Sequence, residues 1–319
     1  MGKLAFLFPG QASQSPGMGK DLADKFPAAR AIFDEADRTL GISVSQLCFA
    51  ASEDDLKLTA NTQPAILTVS VAVSRVLAEK GITPDYVAGH SLGEYSALVA
   101  AGSLTFADAV RLVRHRGTYM QEAVPVGQGA MAAILGLASA QVADICKHAA
   151  EGEVVAPANM NSPDQTVISG SAEAVKRAVR IASASGAKRA VVLAVSAPFH
   201  SELMLPAKQR LEPELRATPF AELSIPLVTN VDAEIITSGE EARESLIRQV
   251  SLPVRWEESV RVLVDAGVSS FVEVGPGRVL TGLLRQIERS VHGFNVEDEK
   301  SLLATLDKLV QARGEAPEA

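Results

Sequence analysis

Ser91 stands at the centre of Gly89-His90-Ser91-Leu92-Gly93, a GxSxG pattern set between a short apolar strand pattern, Asp85 to Gly89, and a helical one, Ser91 to Ala101. A strand that bends sharply into a helix holds the central residue in a strained backbone conformation and pushes its side chain outward. Glycines two positions to either side let neighbouring backbone approach where a Cβ would collide. The serine Oγ is then at a helix N-terminus, whose free N–H groups, that of Leu92 among them, can bind an oxyanion. This is the chemistry of a serine that attacks an acyl carbon. The same letters also fit a glycine-rich turn with a serine N-cap; the strand-turn-helix setting favours the nucleophile.

A serine nucleophile needs a base. Of the five histidines, His90 adjoins Ser91 and is expected to point away from it at a strand end. His115 and His148 fall within helical patterns, and His292 near a frayed end. His200 follows a strand pattern through the loop Ser196-Ala197-Pro198-Phe199. Elimination selects His200; the other reading is a histidine that caps the next helix. A hydrolase triad would add a carboxylate to orient the ring. Many acidic residues follow Ser91 and none is singled out, so backbone or amide oxygens are the alternative.

The elements that must carry these residues alternate. Leu4 to Phe8 reads as a buried strand closed by Pro9-Gly10, and a helical pattern runs from about Lys20 to Leu40. Thr62 and Pro64 open a helix, Ala65 to Lys80, that is apolar nearly all round and therefore buried. Thr105 and Asp108 resemble a capping box for a helix to about Glu122. The rhythm then changes to strand Ala130–Gly136, helix Ser139–Ala149, strands Val154–Asn159 and Gln165–Gly170, helix Ala172–Ser185 and strand Lys188–Val195. That βαββαβ order is that of a ferredoxin-like unit, placed as an insertion. Larger units return with helix Glu202–Ala217, strand Ile225–Asn230, helices Ser238–Val250 and Trp256–Ala266, strand Ser270–Val274 and helix Val279–Ile287. The tail from Ala312 reads as frayed. Strands alternating with helices predict an open, mostly parallel sheet covered on both faces, with its site at the carboxyl ends of the strands.

Composition narrows the partners. The 319 residues are 47% hydrophobic and 21% charged, enough for a sizeable core, and the formal net charge is -8. An acidic chain does not draw nucleic acid or an anionic membrane through its overall field. Cys48 and Cys146 show no CxxC spacing, which gives no zinc or redox motif and suits a reducing compartment. No stretch reads as a signal peptide or a membrane span, so a cytoplasmic protein, monomeric by default and without a metal or bound cofactor, is expected.

At this point resemblance adds to spacing. The stretches FPGQASQSPGMG (Phe8 to Gly19), NTQPAI (Asn61 to Ile66), GHSLGEYSALVAAG (Gly89 to Gly102), RGTYMQEA (Arg116 to Ala123), NSPDQTVISG (Asn161 to Gly170), SAPFHSELM (Ser196 to Met204), RQVSLPVRW (Arg248 to Trp256) and EVGPGRVLTGL (Glu273 to Leu283) run in family order across nearly the whole chain. They resemble the malonyl-CoA:acyl carrier protein transacylases of fatty acid synthesis and, more distantly, the acyltransferase domains of polyketide synthases. The resemblance implies a hydrolase-like α/β catalytic domain, residues 1–127 and 197–319, carrying a ferredoxin-like subdomain, residues 128–196. It implies Ser91 as the acylated nucleophile, His200 as its base, and Gln249 orienting His200 through its own carbonyl or that of neighbouring backbone. The backbone N–H groups of Gln11 and Leu92 would hold the oxyanion, and Arg116 would bind the malonyl carboxylate. Without the resemblance, Arg116 reads as one of several exposed helix cations beside Arg111 and Arg114. In the family it resembles, Phe at the position of Phe199 goes with malonyl and Ser with methylmalonyl, which implies that bulk near the α-carbon leaves no room for a methyl branch.

The implied substrates are malonyl-CoA and the phosphopantetheine thiol of an acyl carrier protein, used in ping-pong order, with primary fatty acid synthesis preferred over supply of a polyketide synthase. An acidic carrier meeting an acidic chain needs local cations, for which Lys188 and Arg189 are the candidates. The rival readings are a serine hydrolase or thioesterase on the same scaffold, which would release free malonate, and a non-catalytic carrier-binding protein.

Overall fold

A computed structural model describes residues 2–195 and 197–313. Ten strands are present among them: β1 (Lys3–Phe8), β2 (Tyr86–Gly89), β3 (Gly129–Leu135), β4 (Val155–Ser162), β5 (Gln165–Ser171), β6 (Arg189–Val192), β7 (Leu227–Val228), β8 (Ile235–Ile236), β9 (Val268–Val274) and β10 (His292–Val296). They form two sheets. The larger has the order β10-β9-β1-β2-β7-β8 and is parallel except for the β7–β8 pair. The smaller is antiparallel with the order β4-β5-β3-β6. With helices Ser139–Ala150 and Ala172–Ala184 in its two crossovers, this is the ferredoxin-like arrangement that the βαββαβ rhythm predicts.

The large sheet is covered on both faces, and β1 shows why its sequence is apolar throughout. Leu4, Phe6 and Phe8 enter one core with the helix Thr59–Glu79, while Ala5 and Leu7 enter a second core with Trp256, Phe271 and Leu284. A strand buried on both sides has no polar face to alternate with. The small sheet buries its own core, including Ile134, Val142, Ile168 and Val175, against its two helices.

Three elements differ from the sequence reading, each for a local reason. The pattern from Lys20 to Leu40 is two helices, Lys20–Lys25 and Pro27–Leu40, because Pro27 forces Phe26 into extended backbone (φ -121, ψ 114) and then starts the second helix. The buried helix begins at Thr59 and keeps Pro64 in its interior. The carbonyl that Pro64 cannot serve is that of Ala60, and Arg114 Nη1 donates to it at 2.6 Å. Finally, His292 is not at a frayed end. It opens the edge strand β10, and the helix Glu299–Arg313 follows, with the Asp298 carboxylate accepting from Ser301 N at 2.7 Å. The helix includes Ala312 and Arg313, where a frayed tail was expected, and the rest of that expectation, residues 314–319, lies outside the described residues. Among the described residues no helix is long and apolar enough to cross a membrane.

Candidate active site

β1 and β2 end side by side, and the chain bends at once into the helix Gly93–Ala100. Ser91, at the bend, has φ 53, a left-handed value that costs a non-glycine residue energy and concentrates at functional positions. The close approach is real at both glycines. A Cβ on Gly89 would stand 1.9 Å from the Gly93 carbonyl carbon, and one on Gly93 would stand 2.0 Å from the Phe8 carbonyl oxygen. Gly93→Ala is therefore expected to destabilise the fold by about 2 kcal/mol or more, read as a lower urea midpoint at unchanged slope; an unchanged midpoint would mean that β1 and the helix are not in this contact.

Asn230, just after β7, clamps the same bend. Its Oδ1 accepts from Ser91 N and its Nδ2 donates to Gly89 O, both at 2.6 Å. The Ser91 hydroxyl lies 2.7 Å from His200 Nε2. On the far side of that ring, Nδ1 faces two carbonyl oxygens, Gln249 O at 2.9 Å and Leu252 O at 3.1 Å. Carbonyls only accept, so Nδ1 carries the proton and Nε2 is the bare nitrogen that accepts from Ser91. His200 itself has φ 57 and is 4% exposed. Burial, and then the Arg116 charge, depress its pKa to about 3, which keeps the imidazole neutral.

Arg116 comes from the helix Phe106–Glu122 and is 1% exposed. Its Nη2 donates to Ser91 Oγ at 3.1 Å and to Gln249 Oε1 at 2.9 Å, and its Nη1 donates to Gln63 Oε1 at 2.8 Å. Nε is buried with no acceptor among the described residues. Arg111, by contrast, is exposed, and Arg114 is held on the Ala60 carbonyl and the Asn61 side chain. The three cations of this helix thus have three different settings, and only Arg116 reaches the serine.

These groups line a cavity of about 340 Å3 between the two sheets. Ser91, His200 and Arg116 line it together with Met131 and Val167 from the small sheet and Leu283 from the helix Val279–Ile287. Residues 5–308 match the acyl transferase domain family. The malonyl CoA-acyl carrier protein transacylase of Bacillus subtilis (strain 168) is 50% identical over 99% of this chain and 100% of its own. The chain belongs to the malonyl CoA-acyl carrier protein transacylase family. Solved transacylases agree in shape. An acyl carrier protein S-malonyltransferase from Vibrio cholerae superposes with a TM-score of 0.93 at 46% identity, covering 95% of this chain and 99% of that one. A malonyl-transacylase in complex with its type II PKS acyl-carrier protein superposes at 0.94 with 47% identity, covering 96% and 99%.

In this transacylase fold, the remaining residues singled out from the sequence divide into those at the cavity and those away from it. Gln11 lies on the loop after β1 and lines the cavity, its side-chain oxygen accepting from the Thr59 hydroxyl. Leu92 follows Ser91 and caps the helix. Among the described residues neither the Gln11 nor the Leu92 N–H donates within the chain. Phe199 is buried and lines the cavity beside His200. His90, as expected, turns from the serine, its Nε2 meeting Asn161 Oδ1 at 2.9 Å. Lys188 and Arg189 are exposed at the start of β6 and do not line the cavity, although Leu193, Ala194 and Val195 of the same segment do. Sequence reasoning missed Gln63, Glu94 and Asn230. Glu94 falls inside the GHSLGE stretch, but nothing in spacing ties Gln63 to Arg116, 53 positions away, or Asn230 to Ser91, 139 positions away.

Proposed function

We propose that the chain moves a malonyl group from malonyl-CoA to the phosphopantetheine thiol of an acyl carrier protein through a malonyl ester on Ser91. The observation that carries this reading is convergence: one hydroxyl lies within hydrogen-bond reach of both a neutral imidazole and a buried guanidinium. A base and a nucleophile suit any acyl transfer. The guanidinium beside them suits an acyl group that ends in a carboxylate.

The steps follow from the atoms. His200 Nε2 takes the Ser91 proton as Oγ attacks the thioester carbon, and the Gln11 and Leu92 N–H groups receive the oxyanion. The intermediate collapses, the C–S bond breaks, and the imidazolium returns its proton to the coenzyme A sulfur. The ester then waits with its carboxylate on Arg116, where the unpartnered Nε and the Nη groups can take it up. The carrier thiol gives its proton to His200, attacks the ester carbon, and Ser91 leaves with that proton. In this reading the Gln249 and Leu252 carbonyls do the orienting that a triad carboxylate does elsewhere, and Phe199 limits branching at the α-carbon. Lys188 and Arg189 remain the proposed cations for the carrier, and the chain is divided into a catalytic unit, 1–127 and 197–319, and a ferredoxin-like unit, 128–196.

Mixing the protein with malonyl-CoA and measuring intact and peptide masses tests the reading. A stable malonyl adduct on the Ser91 peptide, discharged by holo carrier protein, is expected. Release of malonate at the rate of transfer would identify a hydrolase instead. The pH profile supplies a second test. Because the His200 pKa lies at about 3 rather than near 6.5, the acid limb of kcat/KM is expected well below pH 6. Acylation should stay nearly level from about pH 7.5 to about pH 5, where an ordinary histidine would lose more than 90% of its neutral form. A tenfold fall over that interval would show that the base is not held in this buried, carbonyl-bound state.

A further inference from the structure

Glu94 lies in the first turn of the helix Gly93–Ala100, three residues past Ser91, and is 0% exposed. A carboxyl group in such a place is expensive unless its oxygens are occupied. Every group around it donates. Gln249 Nε2 reaches Oε2 at 2.6 Å, Asn230 N reaches the same oxygen at 3.4 Å, and the Ser245 hydroxyl reaches Oε1 at 3.5 Å. The second hydrogen of Gln249 Nε2 goes to Ser91 O at 2.9 Å. An amide whose nitrogen is held on two acceptors must turn its oxygen the other way, and Gln249 Oε1 is the atom that accepts from Arg116 Nη2 at 2.9 Å. A flipped amide would set Oε1 against two acceptors and its NH2 against the guanidinium.

We propose that Glu94 is a positioning residue for the acyl-carboxylate site: through Oε2 it locks the Gln249 amide, and the locked amide fixes where the Arg116 guanidinium stands beside Ser91. Glu94 touches neither substrate nor the reacting atoms. Its task needs an acceptor at one point and does not need charge. On its other side the Ser245 hydroxyl can accept as well as donate, so glutamine at this position fits with Oε1 on Gln249 and its NH2 on Ser245. Burial raises the Glu94 pKa to about 7, and the protonated carboxyl keeps the same acceptor on Gln249.

The inference rests on Arg116 as the carboxylate site, and the two can fail separately. Glu94→Asp keeps the charge but withdraws the oxygen by one methylene; Glu94→Gln keeps the oxygen and removes the charge. The readout is the ratio of kcat/KM for Ser91 acylation by malonyl-CoA to that by acetyl-CoA, in which the fraction of folded enzyme cancels. Glu94→Asp is expected to lower this ratio by at least about fivefold, the loss of one hydrogen bond, and Glu94→Gln to leave it within about twofold. A loss in Glu94→Gln as large as that in Glu94→Asp would show that keeping the acceptor oxygen does not keep the site and would overturn the proposal, as would a wild-type ratio in Glu94→Asp. Arg116→Ala is measured alongside. If that change leaves the ratio intact, the carboxylate site itself is misassigned and the Glu94 proposal falls with it; if only Arg116→Ala lowers the ratio, the Glu94 proposal alone is overturned.

Discussion

Ser91→Ala is expected to abolish the malonyl adduct and to lower carrier malonylation by at least roughly 10^4-fold, the scale seen when a serine nucleophile is removed from an intact site. The loss is large because in the proposed route one atom serves both half-reactions: Oγ would receive the acyl group from one thiol and surrender it to the next. What survives is direct thiolysis, helped by His200 and the two N–H groups but without an ester to separate the partners in time. The variant should otherwise resemble the parent. Removing the hydroxyl frees His200 Nε2 and one Arg116 donor, both facing the cavity, where water can replace it at a cost of about 1 kcal/mol or less in stability. Intact mass after malonyl-CoA addition, transfer to holo carrier protein and a urea titration together read this out. Transfer within tenfold of the parent, in a folded variant, would sink the covalent route.

The fold was legible where a single segment states its own case. The apolar run of β1, the glycines around Ser91 and the βαββαβ rhythm each follow from local patterning, and each is found where the patterning puts it. β10 was not legible because it is an edge strand: His292 is exposed, Gly293 to Asn295 are half-buried and Val296 alone is buried, so no two-sided apolar run marks it. The helix start at Thr59 was hidden by Pro64, because the compensation for a proline inside a helix is made by Arg114 from another element. β8, two residues long, falls below the length at which a period can be recognised, whereas β7 lies inside the strand read at Ile225–Asn230 but is shorter.

The site shows the same division. Ser91 is announced by its neighbours and His200 by elimination, because each is fixed by the loop it sits on. The groups that hold them are fixed by tertiary contact. Asn230 clamps the bend from beyond a different strand, and Gln63 and Gln249 solvate Arg116 from two different helices. A polar residue in a helical pattern is indistinguishable from a solvated one until the opposite wall is known. Arg116 is the sharpest case: on spacing it is a surface cation like Arg111, and in the structure it is among the largest fully buried side chains.

That burial sets the size of the second effect. Arg116 is held by three neutral oxygens, those of Ser91, Gln249 and Gln63, with no carboxylate in direct contact among the described residues and the Nε N–H unspent. Burial lowers its pKa, so the charge is present but poorly compensated, which is costly in a cavity of low polarity. In the proposed role a malonyl carboxylate would bring the missing counter-charge; an acetyl group would bring a methyl and leave the guanidinium as it was. Arg116→Ala is therefore expected to cost about 3–5 kcal/mol toward malonyl-CoA, roughly 10^2- to 10^4-fold in kcat/KM, while acylation by acetyl-CoA holds or rises as an uncompensated charge leaves its path. Single-turnover acylation of Ser91 with each thioester measures both terms. If the two substrates lost rate in equal proportion, the guanidinium would be supporting the serine or the fold, and the preference for an anionic acyl group would have to come from another part of the cavity.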